Sequence, residues 1–292
     1  MDGILCLNKP TEATSFLCCA ILRRLLGVKK VGHAGTLDPN ASGVLPLLVG
    51  KATKTLDYLP THDKRYTAEL RFGAVSNTLD IWGTVTETGG TIPSLSAVED
   101  ALPAFRGDIL QVPPMTSALK KDGVRLYELA RRGEEVEREP RPVTVHSLDI
   151  LDYDPLTGIL RLDCRCSKGT YIRTICDDLG RALECGAVMT ALCRTEAAGF
   201  TVADCITLDE AKALGAEGKL AEHLLPVDRV TEAYPAVTVS PAQAVRFSNG
   251  GALALERLRT PPEGRARVYA PDGVFLGLAH AEDGELKIDC LF

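Results

Sequence analysis

Several broad classes are excluded by what this chain lacks. It carries 33 basic and 39 acidic residues in 292, a net charge of −6. A uniformly basic coat is therefore absent, and any polyanionic partner must be met by a local basic surface. Long apolar runs are also missing. The longest, residues 43–50, falls far short of the ~20 residues of a spanning helix. The opening Met-Asp-Gly-Ile-Leu-Cys has neither the basic nor the long apolar segment of a secretory signal, so a cytoplasmic location is expected. Ten cysteines are present, but no Cys-x-x-Cys pair and no His at zinc-finger spacing. Neither a metal site nor a disulfide framework is expected. Most cysteines sit in apolar runs such as Leu160-x-Leu162-x-Cys164-x-Cys166 and read as small buried hydrophobes. No internal repeat or low-complexity segment occurs.

What remains is ordinary globular material, 45% hydrophobic and 25% charged. The length suits about two domains. Residues 4–7 read as a strand, and Thr14 or Ser15 caps a helix that Gly27 closes. Residues 31–43, rich in Gly, Asp, Pro and Asn, read as a loop, and 44–49 as a buried strand. A short helix over 52–58 follows. Residues 65–72 alternate, with Tyr66, Ala68, Leu70 and Phe72 on the buried face. Helices are expected over 94–105 and 124–132, a charged arm over 134–142, strands over 143–153 and 158–166, and a helix from Tyr171 to about Leu183. This order gives an α+β class with a mainly antiparallel sheet. A boundary falls between Pro226 and Pro235. Beyond it, short strands separated by Pro271-Asp272-Gly273 and Glu282-Asp283-Gly284 form a small β domain.

Four segments carry chemistry. In residues 32–43, Asp38 stands in a loop stiffened by Pro39 and loosened by Gly35 and Gly43. On residue chemistry alone it is equally a cap in a tight turn. In Ser167-Lys168-Gly169-Thr170-Tyr171-Ile172-Arg173-Thr174, a glycine turn feeds a helix N-terminus, which suits an anion as well as it suits a simple cap. The Walker spacing is missing. In Lys64-Arg65-Tyr66 the tyrosine reads first as core. Residues 112–120 form a proline turn that leads into a basic amphipathic stretch over 123–133.

Taken together and in order, these segments resemble the bacterial TruB family of tRNA pseudouridine synthases, which act on uridine 55 of the T-loop. The resemblance rests on Gly3-Ile4-Leu5-x-Leu7-x-Lys9-Pro10, the segment Gly32-His33-x-Gly35-x-Leu37-Asp38-Pro39, Lys64-Arg65-Tyr66, Ser117-Ala118-x-Lys120 and the segment from Cys166 to Thr174. Ser76-Asn77-Thr78-Leu79-Asp80 departs from the family pattern and is expected to touch no catalytic position.

The resemblance implies a pseudouridine-synthase fold, an α+β mixed sheet flanked by helices, over residues 1–230. A loosely PUA-like C-terminal β domain is implied over 231–292. It implies that Asp38 is the catalytic carboxylate, that Arg173 pairs with it, and that Tyr66 stacks on the base or relays a proton. The target base must be flipped out of its stack. His33 is implied at the vacated stack, and Tyr171 and Leu192 along the substrate pocket. Lys9 has a more structural role, and Lys168, Lys120 and the arm at 125–141 lie on the RNA backbone. Isomerisation needs no cofactor and no metal. The expected partner is the T-arm of tRNA, with no membrane, and a monomer is expected.

A non-catalytic RNA-binding protein on the same scaffold, or a guide-RNA-dependent relative, are the alternatives. The retained Asp38 and the bacterial-type Cys166–Arg173 segment weigh against them. Charge by segment sharpens the partner. Residues 9–73 hold ten basic and five acidic residues, whereas the tail from Thr231 holds six basic and eight acidic. RNA contact is therefore expected near the catalytic loop more than on the C-terminal domain.

Overall fold

A computed structural model describes all 292 residues. The chain forms two compact units. One comprises Met1–Asp38, Val44–Thr61 and Ala198–Phe292, and the other Pro39–Gly43 and His62–Ala197. No helix is long and apolar enough to cross a membrane.

In the first unit, the strand Gly3–Lys9 is buried along nearly its whole length. Its Leu7 and Asn8 pair in parallel with Ile206 and Thr207. The helix Ser15–Leu25 begins as its sequence dictates, with Thr14 Oγ1 accepting the Leu17 N–H at 3.0 Å, a cap that satisfies one orphan donor. Cys18, Cys19 and Leu22 then fall on one buried stripe. Residues Val44–Val49 are buried on both faces, as a purely apolar strand must be.

The expected loop over 31–43 is shorter than its composition implies. Val31–His33 forms a strand antiparallel to Leu47–Val49, leaving 34–41 as the loop. Pairing with an apolar partner overrides the glycine-rich local signal. The helix expected over 52–58 is a 3-10 helix over Gly50–Tyr58.

The C-terminal part of this unit contains a five-stranded sheet, in spatial order Ala236–Thr238, Arg265–Tyr269, Phe275–Glu282, Glu285–Leu291 and Leu253–Ala254. It has its own core around Val237, Phe247, Val268 and Leu286. The helix Pro241–Ser248 covers part of that core and starts on a Ser240/Gln243 capping box. Tyr58 Oη donates to the Asp289 carbonyl (3.0 Å) and Lys54 Nζ to the Leu291 carbonyl (2.8 Å), so the last strand is tied to the 3-10 helix.

The second unit is built on an antiparallel sheet in the order Ala187–Ala197, Lys64–Phe72, Ile159–Cys166, Arg141–Asp154, Gly107–Gln111. Lys64–Phe72 buries Tyr66, Ala68, Leu70 and Phe72 as the alternation requires. The helix Ile172–Ala182 packs on the strand Ala187–Ala197. Ser42 and Gly43 add a short parallel pairing to that strand, opposite Cys193 and Arg194. Gly43 has φ +102°, and a Cβ there would lie 2.2 Å from the Arg194 carbonyl oxygen. Only glycine fits this approach. Seven of the ten cysteines are buried.

Candidate active site

The candidate residues divide between the two units. In the first unit, Lys9 is fully buried at the end of its strand, and its Nζ donates to the carbonyls of Ala13 (2.6 Å) and Pro10 (2.8 Å). It reels in the turn that leads to the helix Ser15–Leu25, a structural role consistent with its position. Ser15, the first residue of that helix, reaches the catalytic-loop candidate. Its Oγ accepts the Leu37 N–H at 2.9 Å and donates to the Leu37 carbonyl at 3.2 Å. Leu37 is buried, so both backbone groups of the residue preceding Asp38 are fixed, while Asp38 itself is half-buried. Gly35, with φ +114°, supplies the bend ahead of it. His33 sits on the short strand before the loop, opposite Leu47.

In the second unit the sheet places Tyr66 directly across from Cys164 on one side and Arg194 on the other. Residues directly opposite in an antiparallel pair share a face. Leu192, opposite Ala68, therefore lies on the face that carries Tyr66. Arg194 is completely buried on this face and was not singled out by the sequence. Its positive charge, after the larger effect of burial, lowers the pKa of Lys64 from the usual lysine range. The neighbouring Cys166 thiol, and next burial, raise the Cys164 thiol, while Cys164 holds Cys166 below the usual thiol value against its burial, aided by Thr170 and Lys64.

Arg173 stands in the first turn of the helix Ile172–Ala182, and its side chain is almost wholly buried. Nη1 donates to the Thr78 carbonyl (3.1 Å) and to Thr116 Oγ1 (2.5 Å), and Nη2 to the Thr116 carbonyl (3.2 Å). The Asp80 carboxylate lies 3.5 Å from Nη1. Asp80 is positioned in turn by the Thr78 hydroxyl (2.6 Å) and the Trp82 N–H (3.2 Å).

Residues 76–80, whose local contacts the sequence left open, supply both a carbonyl, from Thr78, and a carboxylate, from Asp80, that grip Arg173. The tightness of this segment has a sequence signal in Gly83, where a Cβ would lie 2.2 Å from Thr78 Oγ1 and 2.3 Å from Asn77 Oδ1. A carboxylate in a hydroxyl-rich turn closed by glycine is the pattern that could have drawn attention to Asp80.

Tyr171, at the N-cap of the same helix, has its backbone held on both sides by one side chain. Its N–H donates to Gln111 Oε1 (2.7 Å) and its carbonyl accepts from Gln111 Nε2 (3.0 Å). Gln111 is buried and was also unmarked in the sequence. Lys168, on the turn before the helix, and Lys120, in a two-residue hairpin with Arg125, are exposed and stand apart from this buried cluster. Within its own unit, then, the structure gathers Arg173, Tyr171, Thr116 and Asp80 around one helix start, and sets Tyr66, Leu192 and Arg194 on one sheet face.

Three families match in succession. These are the TruB family pseudouridylate synthase N-terminal domain over residues 23–172, the tRNA pseudouridylate synthase B C-terminal domain over 173–232, and the pseudouridine synthase II TruB C-terminal domain over 235–289. The tRNA pseudouridine synthase B of Clostridium kluyveri is 41% identical over 294 residues, covering 100% of both chains. That of Thiobacillus denitrificans is 44% identical over 288 residues, covering 98% of this chain and 94% of its own.

Among solved structures, a chain of a Cbf5–Nop10–Gar1 complex superposes with a TM-score of 0.75 at 24% identity, over 99% of this chain and 84% of that one. A chain of an H/ACA RNP bound to a substrate RNA containing 2′-deoxyuridine gives 0.74 at 21%, over 99% and 84%. At these identities the likeness is one of fold. The successive family matches and the end-to-end identity settle the affiliation: this chain belongs to the TruB family of pseudouridylate synthases.

Proposed function

We propose that the chain isomerises uridine to pseudouridine in tRNA, at position 55 of the T-loop, with Asp38 as the carboxylate that engages the flipped nucleotide. The isomerisation breaks the bond between uracil N1 and ribose C1′, turns the base and rejoins it through C5, where the C5 proton leaves. It requires a carboxylate beside the sugar and base, a fixed cation to keep that carboxylate ionised, and a ring to stack on the base. Asp38, Arg173 and Tyr66 take these roles in turn.

The observation that carries the reading is the grip on Arg173. A guanidinium held by Thr78, Thr116 and Asp80 is oriented before substrate arrives, which is what electrostatic stabilisation of a reacting carboxylate demands. Tyr171 and Leu192 would line the pocket, and His33 would support the gap left by the flipped base. Lys9 would shape the loop from below, and Lys168 and Lys120 would meet the RNA backbone. Residues 1–230 would carry the chemistry. Residues 231–292, with a core of their own, would form an appended RNA-contacting module. The relatives named for tRNA support the substrate class.

The test uses purified protein and an unmodified tRNA transcript labelled with tritium at uridine C5. Stoichiometric release of one tritium per tRNA is expected, and none from a transcript carrying cytidine at position 55. Release that persists in the cytidine transcript overturns the site, and absence of release from either overturns the reaction. Asp38→Asn should lower turnover by at least about 10³-fold while tRNA affinity stays within about threefold, since one phosphate-free contact is a minor part of RNA affinity.

A further inference from the structure

The first unit holds a feature that the proposed chemistry does not use. A cavity of about 460 Å³ is lined by Lys29, Lys30, Lys51 and Lys54, with Asp2 as the one acidic residue in its wall. The four lysines are exposed. Asp2 is turned toward the backbone, its Oδ1 accepting the Lys51 N–H at 2.6 Å. Gly50, with φ +61°, allows that approach, since a Cβ would lie 2.1 Å from the same oxygen. Thr53 Oγ1 closes the floor by donating to the Gly50 carbonyl at 2.8 Å. Lys54 donates to the Leu291 carbonyl and lies 5.9 Å over the Phe292 ring, so the basin sits where the 3-10 helix meets the C-terminal module. In a chain of net charge −6, four lysines lining one cavity form a local inversion of sign.

The place of this basin in the fold decides what it can bind. Lys30 and Lys51 flank the open end of the hairpin formed by Val31–His33 and Leu47–Val49, where the Gly50 N–H donates to the Lys30 carbonyl at 2.9 Å. The loop that holds Asp38 lies at the other end, beginning where the Ala34 N–H donates to the Pro46 carbonyl at 3.0 Å. The intervening strand is roughly 10 Å long at about 3.4 Å per residue. Any polyanion that touches both ends of this hairpin therefore extends well beyond a single flipped nucleotide. The basin also lacks the arginine forks and buried backbone nest that capture one discrete phosphate. Compact, rotatable lysine charges instead suit a run of successive phosphates.

We propose that this lysine basin binds the phosphodiester backbone of tRNA outside the T-loop, a second anchoring site separate from the reacting nucleotide. The proposal rests on the tRNA reading given above. Lys29, Lys30 and Lys51 are the residues that contact phosphate, and Lys54 braces the wall against the C-terminal strand.

The experiment compares the wild-type chain with a K29Q/K30Q/K51Q variant on three probes: full-length unmodified tRNA, an isolated T-arm stem-loop, and inorganic tripolyphosphate. The variant should lose about tenfold or more in affinity for full-length tRNA, and its log-affinity against log-salt slope should be shallower by about one to three units. Its affinity for the stem-loop, and its conversion of the stem-loop at saturation, should stay within twofold, which also shows that the variant is folded. Equal losses on both RNAs overturn the proposal, because the basin then serves the loop site. Unchanged tRNA affinity also overturns it. If tripolyphosphate binding is lost while tRNA affinity is unchanged, the basin takes a free phosphate compound instead. Failure of the wild-type chain to convert either RNA defeats the tRNA reading itself, whereas wild-type conversion with an indistinguishable variant defeats the basin alone.

Discussion

Asp38 and Arg173 are held in opposite ways. Arg173 is gripped through its own side chain, with three hydrogen bonds and a carboxylate at 3.5 Å, and is almost wholly buried. Asp38 is half-buried, and the backbone beside it is fixed: Ser15 holds both backbone groups of Leu37, and Gly43 beyond it packs against the Arg194 backbone. The difference teaches where rigidity is placed. The cation is locked through its own side chain, whereas the loop that carries the carboxylate is set through its backbone. That suits a group that must approach a substrate atom, while the cation need only stay where it is.

The largest expected effect tests the locked side. Asp80→Ala takes a carboxylate away from a buried guanidinium, and a loss of about 3 kcal/mol is expected in denaturant unfolding. Asp80→Asn keeps the bonds from Thr78 and Trp82 and should lose less. Equal stability of Asp80→Ala and wild type would mean that Asp80 does not hold Arg173, and the comparison would collapse.

Next comes Gly43→Ala, which forces a left-handed residue and a Cβ against the Arg194 carbonyl. A cost of about 2 kcal/mol, read as a drop in melting temperature, is expected. Ser15→Ala removes two hydrogen bonds to Leu37. Stability should fall by only about 1 kcal/mol, but turnover by about tenfold, because the aim of Asp38 is what is lost. A turnover loss no greater than the stability loss would show that Leu37 does not aim Asp38.

The smallest effect concerns the helix that bears Arg173. Burial, and next the charge of Asp177, raise the carboxyl of Asp178 above the ordinary aspartate value. A raised folded-state pKa means that the native state holds the proton more tightly. The contribution of Asp178 to stability is therefore fullest below its unfolded pKa and is lost as pH rises through the folded value. Asp178→Asn should be slightly more stable than wild type at pH 7, by less than about 1 kcal/mol, with the gain vanishing near pH 4. A pH-independent difference would rule out burial of the charge as the cause.

Much of the framework was legible in the residues because its causes are local. The alternation over Lys64–Phe72, the Thr14 cap and the turns at Gly273 and Gly284 each follow from side chains a few positions apart. The strand Ala187–Ala197 was not. Its register slips at Met189/Ala191 and again at Arg194/Glu196, and a buried arginine stands where the pattern calls for an apolar residue. The grip of Asp80 and Thr116 on Arg173 was hidden for a different reason. Those residues lie 57 or more positions from Arg173 in sequence, and only the folded sheet brings them to it. The hinge of legibility is sequence distance: caps and alternation announce themselves, whereas a long-range polar cluster looks like an ordinary polar turn until the chain closes around it.

Gln111 has one further consequence. It ends Gly107–Gln111, the last strand on its side of the sheet, and such an edge is a template on which a second chain can polymerise. Leu110 on this strand is 72% exposed, which adds to the hazard. The next residues after Val112 are Pro113 and Pro114, which have no N–H to extend a ladder. The Gln111 amide is already committed to Tyr171. Gln111 thus seats Tyr171, while the two prolines that follow guard the protein against aggregation through its open edge.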